Sequence, residues 1–258
     1  MKLELQTVKE FKEIINLVNL YSTEITFNFK EKLLSLEMWM DFHFFFLEIK
    51  KEFFASYDFK DTKVTVKIID LKLIFDKLEE KSPASIELTE NQDELIIKSE
   101  FKHIKKKYDL RIIEDSKTKE TGKRPELKFD AKILINAEEF YNMLDSTLYG
   151  KDKIVIFVNE HRFDITDNEP TRGQSTLRAF KSNAVKIECK NEIQSKYNNE
   201  QLKKIINFSK KITENIEINI SKDYPLFVYF KKNFISFNYY LAPLIENEDA
   251  KREDGDIN

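Results

Sequence analysis

The chain has 258 residues, with 43 Lys and Arg against 46 Asp and Glu and a formal net charge of −3, so no bulk charge announces a nucleic-acid or membrane partner. That length suits one large or two medium domains. Four glycines (Gly122, Gly150, Gly173, Gly255) lie too far apart to cradle phosphate, and three scattered histidines (His43, His103, His161) with one cysteine, Cys189, lack zinc-ligand spacing; neither metal nor cofactor is expected.

Met1 is followed directly by charged, amphipathic sequence, so no signal peptide is expected. A helical period places Val8, Phe11, Ile14, Ile15 and Val18 on one face over Thr7–Asn19. Ile25–Phe29 alternates as a half-buried strand. The run Phe42–Leu47 is the most apolar stretch, but too short to span a membrane. Val64–Ile68 alternates again, and Asp70–Leu78 reads as a second helix with Asp70 as its N-cap. Ile86–Leu88 is a strand. Glu114–Lys128 is polar, holds Gly122 and Pro125, and has no apolar period, so it reads as a linker. Asn136 caps a third helix over Ala137–Leu148. Ile154–Val158 is continuously apolar, as in a deeply buried strand. Asn199 is the expected cap of a fourth helix over Asn199–Ser209, and Ile216–Ile220 and Ile235–Tyr239 return to strand alternation. Residues 246–258 hold six acids and two bases, so the tail carries −4 and the remainder +1. That tail has nothing to bury and is expected to be disordered.

The order of elements repeats. Glu10-Phe11 and Glu139-Phe140 open the first and third helices at an offset of 129, and Leu71-Lys72 and Leu202-Lys203 sit in the second and fourth at 131. A period near half the chain is a domain duplication. The expected organisation is an α+β protein with domains 1–113 and 129–246, a connector 114–128 and a tail 247–258.

Tyr239-Tyr240-Leu241-Ala242-Pro243-Leu244-Ile245-Glu246, followed by acids, resembles the C-terminal YYLAPKIE segment of PCNA-type DNA sliding clamps. Asp223-Tyr224-Pro225-Leu226, the stretch Leu36–Leu47 around His43, and Pro125 with Phe129-Asp130 resemble further parts of that family. The resemblance spans essentially the whole chain. It departs at Leu33, where the family often has glycine, at Asp41, shifted by one, and at Gly122-Lys123-Arg124, where the family is apolar.

The resemblance implies two duplicated clamp domains, antiparallel sheets outside and four short helices inside, closing as a ring trimer. It implies a non-enzymatic ring around duplex DNA, bound without sequence preference, that tethers DNA polymerase and gives processivity. Candidate DNA contacts on the helices are Lys9, Lys12, Lys72, Lys77, Lys203, Lys204, Lys210 and Lys211, because phosphate attraction needs cations around the bore. Little is expected from the third helix, with Glu138, Glu139 and Asp145. A groove for peptide motifs of polymerase, clamp loader, ligase and flap nuclease is expected at Met40, His43, Phe44, Leu127, Pro225, Tyr240, Ala242, Pro243, Leu244 and Ile245, with Trp39 at its edge. Subunits are expected to join through Tyr108, Leu110 and Ile112 on one edge and Thr176, Leu177 and Ala179 on the other. Lys105-Lys106-Lys107 near the first edge and Arg178 and Lys181 near the second are like-signed, which leaves a heterotrimer open beside a homotrimer. A checkpoint-type or viral clamp-fold ring is a nearby alternative. A Mg²⁺ nuclease using Asp164, Asp167 and Glu169 is a distant one. The expected location is intracellular: the cytoplasm of an archaeon, or a nucleus or host cell.

Overall fold

The structure, a computed structural model, describes residues 1–113, 127–150, 152–169 and 171–245, without the side chains of 168 and 169. Most of the expected connector, with Gly122 to Pro125, and the acidic tail lie outside the described residues.

The first half runs β1 (Lys2–Leu5), α1 (Lys9–Asn19), β2 (Glu24–Lys30), β3 (Leu33–Met40), β4 (His43–Lys50), β5 (Ser56–Asp58), β6 (Thr62–Lys67), α2 (Ile68–Asp76), β7 (Ala84–Leu88), β8 (Glu94–Phe101) and β9 (Ile104–Arg111). The second runs β10 (Ala131–Asn136), α3 (Ala137–Asp145), β11 (Ile154–Val158), β12 (Arg162–Glu169), β13 (Gly173–Phe180), β14 (Lys186–Cys189), β15 (Ile193–Tyr197), α4 (Asn199–Ile212), β16 (Asn215–Ile220), β17 (Leu226–Lys232) and β18 (Ile235–Leu241). Apart from a 3-10 turn at Lys51–Phe53, the two halves match element for element.

The sheets repeat as well. In the first half β5-β1-β7-β8-β9 form one sheet, and its counterpart is β14-β10-β16-β17-β18; β4-β3-β2-β6 has the counterpart β13-β12-β11-β15. All pairings are antiparallel. The halves are spliced where β18 pairs with β4, from Ile235 opposite Ile49 to Leu241 opposite His43. That splice makes one nine-stranded sheet, while β9 and β13 remain outer strands. α1 packs on α2, α3 on α4, and α1 on α4, so the helices form one row, α2-α1-α4-α3.

Each helix is held by its apolar face. Phe11, Ile14, Ile15, Leu17 and Val18 of α1 are buried, and Phe11 meets Phe27 and Phe75 at ring-centroid distances of 5.9 and 5.4 Å. Burying such a side chain contributes about 1.5–3 kcal/mol, well above any helix propensity.

Several sequence expectations need correction at element ends. α1 begins at Lys9 rather than Thr7. α2 begins at Ile68, straight out of β6, where the Ile68 N–H donates to the Thr23 carbonyl; Asp70 therefore lies inside the first turn and is not the cap. α3 stops at Asp145, leaving Leu148 outside it. Asn136 does cap α3, accepting from the Glu138 and Glu139 N–H groups. α4 is capped by Asn198, which accepts from the Gln201 N–H, and runs on to Ile212. Asn199 is buried instead and donates to Thr147 Oγ1 and the Gly150 carbonyl, tying α4 to the loop after α3. Ile154–Val158 alternates in burial rather than being buried throughout, because Val155 and Phe157 face the outer side. The Arg162 guanidinium lies 5.1 Å from the Phe157 ring centroid on that side.

Candidate functional site

The helix row presents the expected DNA-facing lysines, but most are already engaged. Lys12 and Lys72 both reach Asp76; Lys203 pairs with Asp145 at 2.6 Å and Lys204 with Glu200 at 2.7 Å. Lys211 pairs with Glu13 at 2.8 Å, a bridge from α4 to α1 across the two halves. Lys210 lies 3.8 Å from the Tyr141 ring centroid. Among the described residues, neither Lys9 nor Lys77 has a carboxylate within ion-pair reach. A hydrogen bond from Lys72 holds the Asp76 carboxyl below its ordinary range, and Lys204 does the same for Glu200. The four helices together carry seven lysines against eight acidic residues, so the row is close to neutral.

The splice builds the second surface. On the face of the nine-stranded sheet away from the helices, Trp39, Phe44, Tyr240 and Phe227 stand opposite one another across β3, β4, β18 and β17. Their rings stack at 3.9, 5.7 and 4.7 Å, and Phe129 continues the row at 5.8 Å from Phe227. Leu127, two residues before Phe129, and Pro225, two before Phe227, are half-buried at its end. Ala242 to Ile245 leave β18, tied by Ala242 N–H to the Phe42 carbonyl and Leu244 N–H to the Lys196 carbonyl. Phe42 and Ile245 are 73% and 68% exposed, so the rim is apolar.

Met40 and His43 pair with each other on the opposite face. The His43 ring sits between Tyr21 at 5.0 Å and Tyr239 at 5.8 Å, and neither ring nitrogen has a hydrogen-bond partner; nor have the Tyr21 and Tyr239 hydroxyls. Burial, then the nearby Lys204 charge, push the His43 pKa down, with Asp41 opposing. The expected groove residues therefore lie on both sides of one sheet corner: Phe44 and Tyr240 outside, Met40 and His43 inside.

The expected seam residues lie on the outer strands. Tyr108, Leu110 and Ile112 alternate inward along and just past β9, with Leu110 buried; Leu177 and Ala179 face inward on β13, whereas Thr176 faces out.

No family model matches the sequence. A DNA polymerase sliding clamp from Methanospirillum hungatei is 22% identical over 249 residues, covering 92% of this chain and 95% of that one. The proliferating cellular nuclear antigen of Entamoeba histolytica superposes with a TM-score of 0.85 at 16% identity, over 95% of this chain and 98% of that chain. A chain of the PCNA2–PCNA3 complex of Sulfolobus tokodaii superposes at 0.83 and 20% identity, over 95% of this chain and 100% of that chain. The chain has the fold of a PCNA-type clamp.

Within this fold the described acids weighed for a nuclease are held in structural contacts. Asp164 and Asp167 are an odd number of residues apart on β12, so they face opposite sides of the sheet and cannot share a metal ion. Asp164 is gripped by Arg178, with Nε and Nη2 at 2.8 and 3.0 Å, and by Arg162 at 3.1 Å. Asp167 accepts from the Tyr149, Gly150 and Ser175 N–H groups and from Ser175 Oγ. Glu169 lies outside the described side chains. No cluster of three metal-ligating side chains occurs among the described residues, and no helix is long and apolar enough to cross a membrane.

Sequence reading missed Phe227 and Phe129 as members of the aromatic row. The signal was present: in Leu226-Phe227-Val228-Tyr229-Phe230 the outward positions of an alternating strand are aromatic rather than polar.

Proposed function

We propose that this chain is the subunit of a DNA sliding clamp, a ring that encircles duplex DNA, tethers DNA polymerase and other replication and repair proteins, and confers processivity. The observation that carries the reading is the internal repeat. Two copies of one eleven-element unit place every helix in one row, and the whole-chain likeness to clamps covers both copies. Three such subunits give a bore lined by twelve helices, with sheets outside.

The work of such a ring is topological. Its bore needs only weak, sequence-independent attraction to phosphate, since a tight grip would stop sliding. The near-neutral helix row fits that need, and Lys9 and Lys77 are its most available cations, with Lys12, Lys72, Lys203, Lys204, Lys210 and Lys211 held in local pairs beside them. The corner formed by Met40, His43, Leu127, Pro225 and Ala242–Ile245 receives partner peptides, whose aromatic anchors extend the row beginning at Trp39. Polymerase, clamp loader, ligase and flap nuclease are partners of this kind. In this reading the chain is a scaffold with no catalytic residue and no cofactor.

The test is primer extension on a singly primed circular template with a polymerase and loader. Longer products with the chain present, and retention of the chain on closed but not linearised circles, are the expected outcome. Unchanged product length together with no retention on circles counts against the clamp.

A further inference from the structure

The outer face of the five-stranded sheet in the first half carries a charge arrangement that strand pairing disfavours. Glu4 of β1, Ser85 of β7, Lys98 of β8 and Lys107 of β9 stand opposite one another in one row. Their neighbours Leu5, Ala84 and Ser99 are buried, so the row lies on the side away from the helices. Lys98 and Lys107 are directly opposed, and Lys105 lies two residues along β9 on the same face. Like charges directly opposite each other destabilise a sheet. Each lysine finds only a flanking acid. Lys98 reaches Glu87 at 2.6 Å, but Lys2 approaches the same carboxylate at 3.5 Å; Lys107 reaches Asp109 at 3.0 Å and Lys105 reaches Glu100 at 3.8 Å. The Lys105 and Lys107 side chains stay 80% and 57% exposed.

The internal repeat shows that the fold does not require these cations. β8 turns into β9 through Phe101–Ile104 with Lys102 at positive φ, and β17 turns into β18 through Lys232–Ile235 with Asn233 at positive φ. Counted from the two turns, Lys98 corresponds to Tyr229, Lys107 to Asn238 and Lys105 to Ser236. The row Glu4–Ser85–Lys98–Lys107 therefore has the counterpart Leu134–Glu217–Tyr229–Asn238. Both rows border a hollow, of 580 Å³ in the first half and 460 Å³ in the second. The concavity belongs to the repeated fold, and the three facing lysines belong to the first half.

We propose that this hollow is a docking site for an acidic peptide segment of a partner protein, bound in extended form with carboxylates at alternate residues. The inference goes beyond the ring reading and does not depend on it. Lys105 and Lys107 are about 6.7 Å apart along β9, the spacing at which an extended peptide repeats side chains on one face. A carboxylate between Lys98 and Lys107 replaces their repulsion with two charge-assisted hydrogen bonds. Ala55, Pro83 and the lysine stems give the walls an apolar lining for the aliphatic atoms of the peptide.

A nucleic-acid strand fits the same hollow poorly. Among the described residues no aromatic ring lines it, so bases have nothing to stack on. Glu4 and Glu100 stand in its wall and repel a continuous run of phosphates, whereas a short segment with two carboxylates fits between them.

The experiment is fluorescence anisotropy with the purified full chain and a dye-labelled peptide, Gly-Ser-Glu-Val-Glu-Val-Glu-Ser-Gly-Ser, at low salt. The acidic peptide is expected to bind, its version with Gln in place of every Glu is not, and the affinity is expected to fall as salt rises. Lys105→Gln with Lys107→Gln is expected to weaken binding roughly tenfold or more, while Lys231→Gln with Lys232→Gln, at the counterpart hollow, leaves it unchanged. Lys107→Gln alone removes one of two opposed like charges and is expected to keep or raise the urea unfolding midpoint, so that lost binding is not lost fold. No binding up to about 1 mM peptide, equal affinity for the Gln version, undiminished affinity in the 105/107 variant, equal losses in both double variants, or a lowered midpoint for Lys107→Gln overturns the proposal. So does an oligothymidylate that binds more tightly than the peptide and loses its affinity with Lys105→Gln and Lys107→Gln, which would make the hollow a nucleic-acid site.

Discussion

Asp167 is kept charged in a nearly dry site. Burial pushes its carboxyl pKa up, but the bonds from Ser175 Oγ and three backbone N–H groups outweigh that and hold it below the ordinary range. Gly150 belongs to the same arrangement: a Cβ there would stand 2.6 Å from the Asp167 Cβ. Asp167→Ala leaves those donors without an acceptor and is expected to destabilise the chain by about 3 kcal/mol in urea unfolding. Because the folded pKa is depressed, this contribution is present above about pH 4 and fades as pH falls through the folded value. The deficit of the variant should shrink in acid; a deficit independent of pH would mean that the carboxylate charge is irrelevant. His43 has the same sign for a different reason. Its folded pKa is lowered, so the unfolded chain binds the proton first, and stability is full above about pH 6.5 and falls below it. Thermal melts of wild type and His43→Leu between pH 7 and 5 should diverge, with the wild type losing more; parallel slopes would argue against a buried neutral imidazole. At this scale the sequence was half legible. Asn136 reads as a cap because it precedes an apolar period, but Asn198-Asn199 offers two candidates, and only tertiary structure shows that the second is consumed by Gly150 and Thr147.

At the scale of elements, alternation and period found the helices and the strands but not their rows. Trp39, Phe44, Tyr240, Phe227 and Phe129 come from distant parts of the sequence, and a cross-strand row runs perpendicular to the chain, so no linear pattern announces it. Position in the row predicts consequence. Phe44 is buried between two rings, and Phe44→Ala is expected to cost about 3–5 kcal/mol of stability. Trp39 is 44% exposed at the open end, so Trp39→Ala should leave the unfolding midpoint nearly unchanged. It should nevertheless weaken a peptide carrying two aromatic anchors about tenfold, close to 1.4 kcal/mol. Calorimetric titration separates the two; equal affinity for wild type and Trp39→Ala would remove the row from the binding surface.

For the whole molecule, the duplication was readable as offsets of 129 and 131, and the fold class with it. The charge balance of the helix row was not readable. The eight lysines expected as DNA contacts look like a basic channel until six of them are matched to local partners, and pairing depends on neighbours such as Glu13 and Lys211 that lie 198 residues apart. The consequence is measurable. Charge reversal at the two lysines without carboxylate partners, Lys9→Glu with Lys77→Glu, should shorten residence on circular DNA at low salt more than reversal of Lys203 and Lys72. If all four positions behave alike, the ion pairs do not hold the lysines back from phosphate.

The splice between β18 and β4 also orders events during synthesis. A ribosome delivers β4 early and β18 last of the described strands, with His43 and Leu241 pairing only after almost the whole chain has emerged. Until then the nascent first half carries a long open strand edge rich in phenylalanine, the kind of surface that draws chaperones or recruits another unfinished copy. Translation that stalls between β13 and β18 therefore leaves β4 without its partner strand.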